Sequence, residues 1–324
     1  MDKLKINRDK VDKWKEDVQR SVDLYNTWFL EFVPETYRNT RINETLKVEE
    51  SMKKLDDMKN ITPTLLMEEP AIVEVLRMCT APPIASDRLL GLSGLSMTAP
   101  GFVKTLEKGR LPRITARSKV SLEEGLKAIC HTITKMLDKG VFTWVEEGRT
   151  PDEKERYRAS TIIADRLCGS VSNPIIRNAQ EERQLTKISE YLENKGYKRS
   201  DAKSFTEMKP GTYSFRFNVP GQQPDGGTVN IPVDTVIKRK SSSEDDMPIL
   251  IECKSAGDFA NTNKRRKEET QKLANLKNAY GDDVEYFLFL CGYFDASYLG
   301  YSAAEGIDWI WEHRMEDFEQ LGLD

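Results

Sequence analysis

The stretch Val233-Asp234-Thr235-Val236-Ile237, followed after a polar loop by Ile249-Leu250-Ile251-Glu252-Cys253-Lys254, decides how this chain folds. Thr228 to Ile237 reads as a strand carrying Asp234. Pro248 to Glu252 is nearly all apolar before its charged end, the pattern of a central strand covered on both faces. Upstream, Gly211 to Val219 alternates, with Tyr213, Phe215 and Phe217 on one face, and the Pro/Gly/Asp turn from Pro220 to Gly227 joins it to the Asp234 strand as a hairpin. The polar stretch Ser241 to Asp246 is a solvated turn between the second and third strands. Beyond Lys254, the turn Ser255-Ala256-Gly257-Asp258 leads through Phe259 to Asn263 into a helix from about Lys264 to Tyr280, then into another buried strand, Val284 to Cys291. The order is strand, strand, strand, helix, strand.

Residues two apart on a strand share a face, so Glu252 and Lys254 point the same way and Cys253 points into the core. The charged end of an otherwise buried strand marks the mouth of a site. Asp234 and Glu252 offer the hard carboxylate oxygens that Mg²⁺ prefers, and a cation that keeps several waters needs only a few protein ligands when a phosphate supplies another. The ammonium of Lys254 is suited to orient or help deprotonate an attacking water and to offset charge on phosphorus oxygens. Glu-x-Lys by itself also describes an ordinary solvated strand face; the hairpin, the buried strand and the helix that follows single this one out.

On these residues the sequence resembles the PD-(D/E)xK nuclease superfamily, to which most type II restriction endonucleases belong. The motif reads Val233-Asp234 and Glu252-Cys253-Lys254, with Val where Pro is usual. The run Glu252 to Phe259 with Asn263 to Glu269, and the segment Gly306-Ile307-Asp308-Trp309-Ile310-Trp311-Glu312-His313-Arg314, further resembles the XamI-type restriction endonucleases. The superfamily likeness covers about residues 174 to 295, and the XamI-type likeness most of the chain. The resemblance implies an α/β (α+β) fold: a restriction-endonuclease-like mixed β-sheet core flanked by helices. It implies Mg²⁺-dependent, sequence-specific hydrolysis of double-stranded DNA leaving 5′-phosphate ends. In that scheme Asp234 and Glu252 bind metal, the Cys253 carbonyl adds a ligand, and Lys254 positions the water. A short palindromic site implies a two-fold homodimer, and the narrower likeness points to GTCGAC as the target.

Superfamily members often draw an acidic residue or a glutamine from the helix before the first strand. Between Asn173-Pro174 and Gly196, a helical stripe of Ile175, Ala179, Leu185, Ile188 and Leu192 encloses Glu182, where a carboxylate is costly unless paired or bound to metal. Glu182 is therefore the expected fourth catalytic residue, with Gln184 behind it; the alternative is a salt bridge to Arg183 or Arg177. Glu268 on the later helix is a further candidate carboxylate, or a structural residue if Glu252 fills the role.

The chain has a net charge of −4 and a pI near 5.6, which argues against indiscriminate polyanion binding but not against a focused basic surface. Two clusters supply one. Residues 101 to 120 carry Lys104, Lys108, Arg110, Arg113, Arg117 and Lys119 against the single acid Glu107. Lys264-Arg265-Arg266-Lys267 opens the helix beyond the proposed catalytic strand, where helix amides also favour phosphate. Asn261 and Asn263 have side chains suited to base edges, adenine in particular.

With 324 residues, 38% hydrophobic and 31% charged, the chain has enough apolar sequence for a sizeable core and reads as a mainly helical DNA-binding or dimerisation portion over 1–170 and a nuclease core over 171–324. Helical spacing covers Asp2 to Phe32, Asn43 to Lys59 and Pro70 to Met78; Leu89 to Gly101 reads as loop, and Ser121 caps a helix to about Lys139. No apolar run approaches a membrane span, which with the five scattered cysteines points to a cytoplasmic protein with reduced thiols, no membrane attachment and no small-molecule cofactor. Of the two histidines, His131 reads as a packing residue and His313 as a core cap or a DNA contact. Two rivals remain: a structure-directed repair or recombination nuclease, resolvase-like, on the same core, and a non-catalytic DNA-binding protein on that fold. The intact Asp234, Glu252 and Lys254 set argues against the second.

Overall fold

The computed structural model describes residues 5–113, 120–243, 246–260 and 262–323, with the backbone alone at 263–265. In chain order its elements are α1 (Val11–Lys54), α2 (Pro63–Glu68), α3 (Ile72–Met78), α4 (Ser86–Leu92), α5 (Phe102–Glu107), α6 (Leu122–Met136), α7 (Thr143–Glu147), α8 (Glu153–Asn194), β1 (Lys198–Arg199), β2 (Thr212–Gln222), β3 (Thr228–Lys238), β4 (Ile249–Ala256), α9 (Thr262–Tyr280), β5 (Tyr286–Gly292), α10 (Ala296–Ala304) and β6 (Asp308–Trp311). They form two compact units, Glu35–Ile175 on the one hand and Met1–Pro34 with Ile176–Asp324 on the other. The described residues up to Pro34 cluster with the sheet-bearing unit.

Two helices run through positions where the sequence predicts a break. α1 is continuous through Pro34, joining the two helices expected on either side, and α8 begins at Glu153 and continues through Pro174. A proline inside a helix deletes one hydrogen bond and crowds the preceding turn, at about 3 kcal/mol. Buried flanks outweigh that cost: Tyr25, Val48 and Met52 on α1, and Leu167, Leu185 and Ile188 on α8.

The helical unit packs α1, α3, α5, α6 and α8 residues such as Val48, Val75, Phe102, Leu106, Ile129 and Leu167 into one core. Residues 89–101, expected as loop, include the end of α4. Ser121 caps α6 as expected: its hydroxyl accepts from the Glu124 amide while the Glu124 carboxylate accepts from the Ser121 amide.

The other unit is built on a six-stranded mixed sheet in the order β1-β2-β3-β4-β5-β6. The β2–β3 and β3–β4 pairs are antiparallel, whereas β1–β2, β4–β5 and β5–β6 are parallel, with α9 and α10 as the crossovers of the last two. β4 and β5 are apolar on both faces because both are covered. Leu250, Leu288 and Leu290 pack towards α9 and α10, and Ile249, Ile251, Phe287 and Phe289 towards Ile188 and Leu192 of α8.

The hairpin departs from simple alternation. Tyr213 and Phe215 pack on the α8 side, but Phe217 and Val219 pack on the α9 side, so the strand changes face between Phe215 and Phe217. Arg216 causes it: its φ of +52° is left-handed in mid-strand, and Arg216 and Asp234 drop out of the pairing between Phe215↔Thr235 and Phe217↔Val233. β3 changes face at the same level, Val233 and Ile237 lying on opposite sides. The expectation that Tyr213, Phe215 and Phe217 share one face is thereby corrected.

Candidate active site

The face change places Asp234 where β3 leaves β4. Pairing of the two strands covers only Thr235↔Ile251, Val236↔Leu250 and Ile237↔Ile249. One step further, the Asp234 carboxylate accepts the Cys253 amide at 2.8 Å, substituting for the backbone carbonyl that a continued ladder would bring there. Burial, with the neighbouring Glu252 carboxylate second, pushes Asp234 up to about 6.

Glu252 is buried on β4, and its Oε1 accepts from two ammonium groups, Lys254 at 2.8 Å and Lys272 of α9 at 2.6 Å. Its Oε2 is buried without a hydrogen-bond partner. Burial works against the Lys254 ammonium, but Glu252, Glu269 and Asp234 outweigh it and hold the lysine above its ordinary value, so it stays cationic. Glu269 lies 3.7 Å from Lys254 and accepts the hydroxyl of Tyr298 from α10. Cys253 faces the other side of the sheet, against the α8-side core, and burial keeps its thiol protonated.

Asp234, Glu252, Cys253, Lys254 and Ser255 line a cavity of about 430 Å³, together with Arg177, Gln180, Glu181 and Gln184 of α8 and Glu268 of α9. The α8 residues recur at i, i+3, i+4 and i+7, one face of a helix. Glu182 is not among them. Its side chain is 65% exposed and paired with Arg216 at 3.0 Å, so the buried position assigned to it is corrected. Gln184, placed behind it from sequence, is buried instead and donates to the Phe289 carbonyl at 3.2 Å and the Lys254 carbonyl at 3.4 Å, pinning α8 to the ends of β4 and β5. Glu268 is exposed and lines the cavity, whereas its neighbour Glu269, which sequence reading passed over, is the acid beside Lys254. Lys272 was missed as well; the signal was its place one turn after Glu268 and Glu269 on the same helix.

The donor set suits a hard cation: one carboxylate held by a backbone amide, a second with an orphaned buried oxygen, and room beside them. Among the described residues no three His, Cys, Asp or Glu side chains form a ready cage, and a cation that keeps waters and takes phosphate oxygens requires none.

The basic residues divide. Lys267 is exposed, but the Arg266 guanidinium stacks 4.0 Å from the Tyr301 ring centroid. Asn261 lies outside the described residues, as do the side chains of Asn263, Lys264 and Arg265. Arg110 and Arg113 are exposed in the helical unit, and Arg117 lies outside the described residues. His131 is exposed rather than packed, and His313 is half-buried beside Asp17 and the Trp311 ring. Among the described residues all five cysteines are free thiols, and no helix is long and apolar enough to cross a membrane.

A sequence model of the family described as XamI restriction endonuclease matches residues 56–311. The chain is 48% identical over 321 residues to the type II restriction enzyme SalI of Streptomyces albus G, covering 98% of this chain and 99% of the relative. It is 25% identical over 223 residues to the type II restriction enzyme XamI of Xanthomonas campestris pv. amaranthicola, covering 68% and 72%. No solved structure matches.

Proposed function

The chain belongs to the XamI restriction endonuclease family and is a type II restriction endonuclease; from that premise we propose that its catalytic centre is the Asp234, Glu252 and Lys254 cluster and that Mg²⁺ is its metal. The observation that carries this reading is the pairing of Asp234 with a buried Glu252 whose Oε2 has no partner, both in one cavity with a cationic lysine.

Asp234, Glu252 and the Cys253 carbonyl would hold the metal. When bound, Mg²⁺ supplies a Lewis acid that polarises a phosphodiester and lowers the pKa of a coordinated water. Asp234 enters this task half-ionised near pH 6 because it is desolvated beside Glu252, and a cation nearby favours its charged form. The Lys254 ammonium donates to the attacking water or to a phosphoryl oxygen, and Glu252 and Glu269 fix its position. Gln184 and Glu181 shape the opposite wall, and Gln184, not the expected fourth catalytic residue Glu182, is the α8 side chain that reaches the catalytic strand. Double-stranded DNA is the substrate, read as a homodimer on a palindromic site so that each strand meets one centre. Exposed Lys267, Arg110 and Arg113 are offered as phosphate contacts.

The test is incubation of the purified protein with long linear phage DNA and Mg²⁺, beside a Lys254→Ala control. Discrete fragments absent from the control are expected, and their mapped ends are to be compared with GTCGAC. Intact DNA, a smear, or equal cutting by the variant would overturn the site assignment; preferential cutting of branched DNA would move the chain to a structure-directed nuclease.

A further inference from the structure

Two ammonium groups share one oxygen of Glu252, and their surroundings differ. Lys254 projects from β4 itself, is held again by Glu269 at 3.7 Å and lines the cavity with Asp234. Lys272 arrives from α9 on the other side. Its Nζ lies 2.6 Å from Glu252 Oε1 and 3.0 Å from the carbonyl of Pro232, two residues before Asp234. The same side chain lines an adjoining groove of about 470 Å³ with Pro232, Lys267, Gln271, Asn275 and Glu268, the last of which also lines the cavity that holds Asp234, whereas Lys272 does not. Lys272 thus ties both acid-bearing strands together from outside the cavity and has open space behind it.

We propose that Lys272 is the counter-cation of the metal-free site: its ammonium occupies Glu252 until a divalent cation arrives, competes with that cation for the carboxylate, and then withdraws into the groove beside Pro232. This rests on the reading of Asp234 and Glu252 as metal ligands. A buried carboxylate cannot be left without a cation, which the two lysines provide in the absence of metal. A dication at the same carboxylate replaces that stabilisation, and two ammonium groups beside it are then repelled. Lys254 is kept by Glu269, whereas the other bond of Lys272 is to a neutral carbonyl at the mouth of a groove. Lys272 is therefore the group that yields.

The experiment is calorimetric titration of DNA-free, full-length protein with Mn²⁺ at pH 8, for the parent, Lys272→Met, Lys272→Gln and Asp234→Asn, with a thermal melt of each to show that it is folded. Both Lys272 variants are expected to bind Mn²⁺ about tenfold more tightly than the parent, because a competing charge is gone, while Asp234→Asn binds at least as much more weakly. Glutamine keeps a donor for Pro232, so it carries the test if the methionine variant does not fold. Unchanged or weaker Mn²⁺ binding by the folded Lys272 variants, with binding lost in Asp234→Asn, overturns the counter-cation role and leaves the metal site standing. Parent-like binding by Asp234→Asn overturns the metal-site reading itself.

Discussion

Glu252 and Glu312 are both buried acids at the carboxyl ends of sheet strands, each contacted by two cations, yet only one is built to bind something. The side chain of Glu312, just past β6, is 0% exposed: Oε2 accepts from Arg183 at 3.0 Å, and Oε1, without a hydrogen bond, has the Lys187 ammonium 3.1 Å away. Arg183 is in turn covered by the Trp28 ring, 4.7 Å from its centroid. Glu252 receives both its lysines on Oε1, leaves Oε2 without a partner, and lies beside Asp234 in an open cavity. Burial and ion pairing alone therefore do not identify a catalytic acid. A second carboxylate and a shared cavity do.

The contrast breaks most sharply under Glu252→Gln, Asp234→Asn or Lys254→Ala. Each is expected to lower cleavage by about 10³-fold or more in a gel assay with Mg²⁺, and retention of parent activity by any of them removes that residue from the site. Glu312→Gln is expected to act on the fold instead. It leaves Arg183 and Lys187 facing each other, lowering stability by about 3 kcal/mol in denaturant melts, against less than half of that for Glu252→Gln, whose lysines also have Glu269 and solvent. Equal losses would erase the distinction between the two acids.

A smaller effect has the opposite sign. Asp234 is raised from an ordinary value of 3.8 to about 6, so the folded protein binds this proton more tightly than the unfolded chain. The group therefore costs nothing below the unfolded value and destabilises the metal-free protein increasingly as pH rises from about 4 to 6. At about 1.4 kcal/mol per pH unit the cost above pH 6 is at most about 3 kcal/mol. Asp234→Asn, which still offers an acceptor to the Cys253 amide, is expected to raise stability by about 1–2 kcal/mol at pH 8 and by almost nothing at pH 4. A loss at pH 8 would show that the carboxylate is not strained by burial. The smallest effect concerns Arg216. Both Arg216→Gly and Arg216→Ala lose the pairs to Glu181 and Glu182, but glycine should be the more stable by about 1 kcal/mol, because only it adopts a φ of +52° freely. If alanine is the better, the left-handed turn opposite Asp234 is wrong.

The motif and its strands were legible because alternation and apolar runs are local: β3, β4, α9 and β5 lie within a few residues of their expected bounds. Alternation failed at Arg216 because periodicity assumes every residue is extended, and one left-handed residue reverses the face of all that follow. The α8 reading failed only in part. Leu185, Ile188 and Leu192 of the expected stripe are buried, but Ile175 and Glu182 are exposed, and the polar series Arg177, Gln180, Glu181 and Gln184 lines the cavity. β6 went unassigned because Asp308–Trp311 is only four residues long.

The sequence by itself determined that two carboxylates and a lysine ride on adjacent strands of a covered sheet, since hydrophobic patterning and a spacing of two fix which residues share a strand face. The tertiary structure alone decided which further groups join them. Gln184 comes from α8, and Lys272 and Glu269 from α9, and whether such a side chain reaches the site depends on how each helix is rotated about its axis against the sheet, which packing sets and local sequence does not.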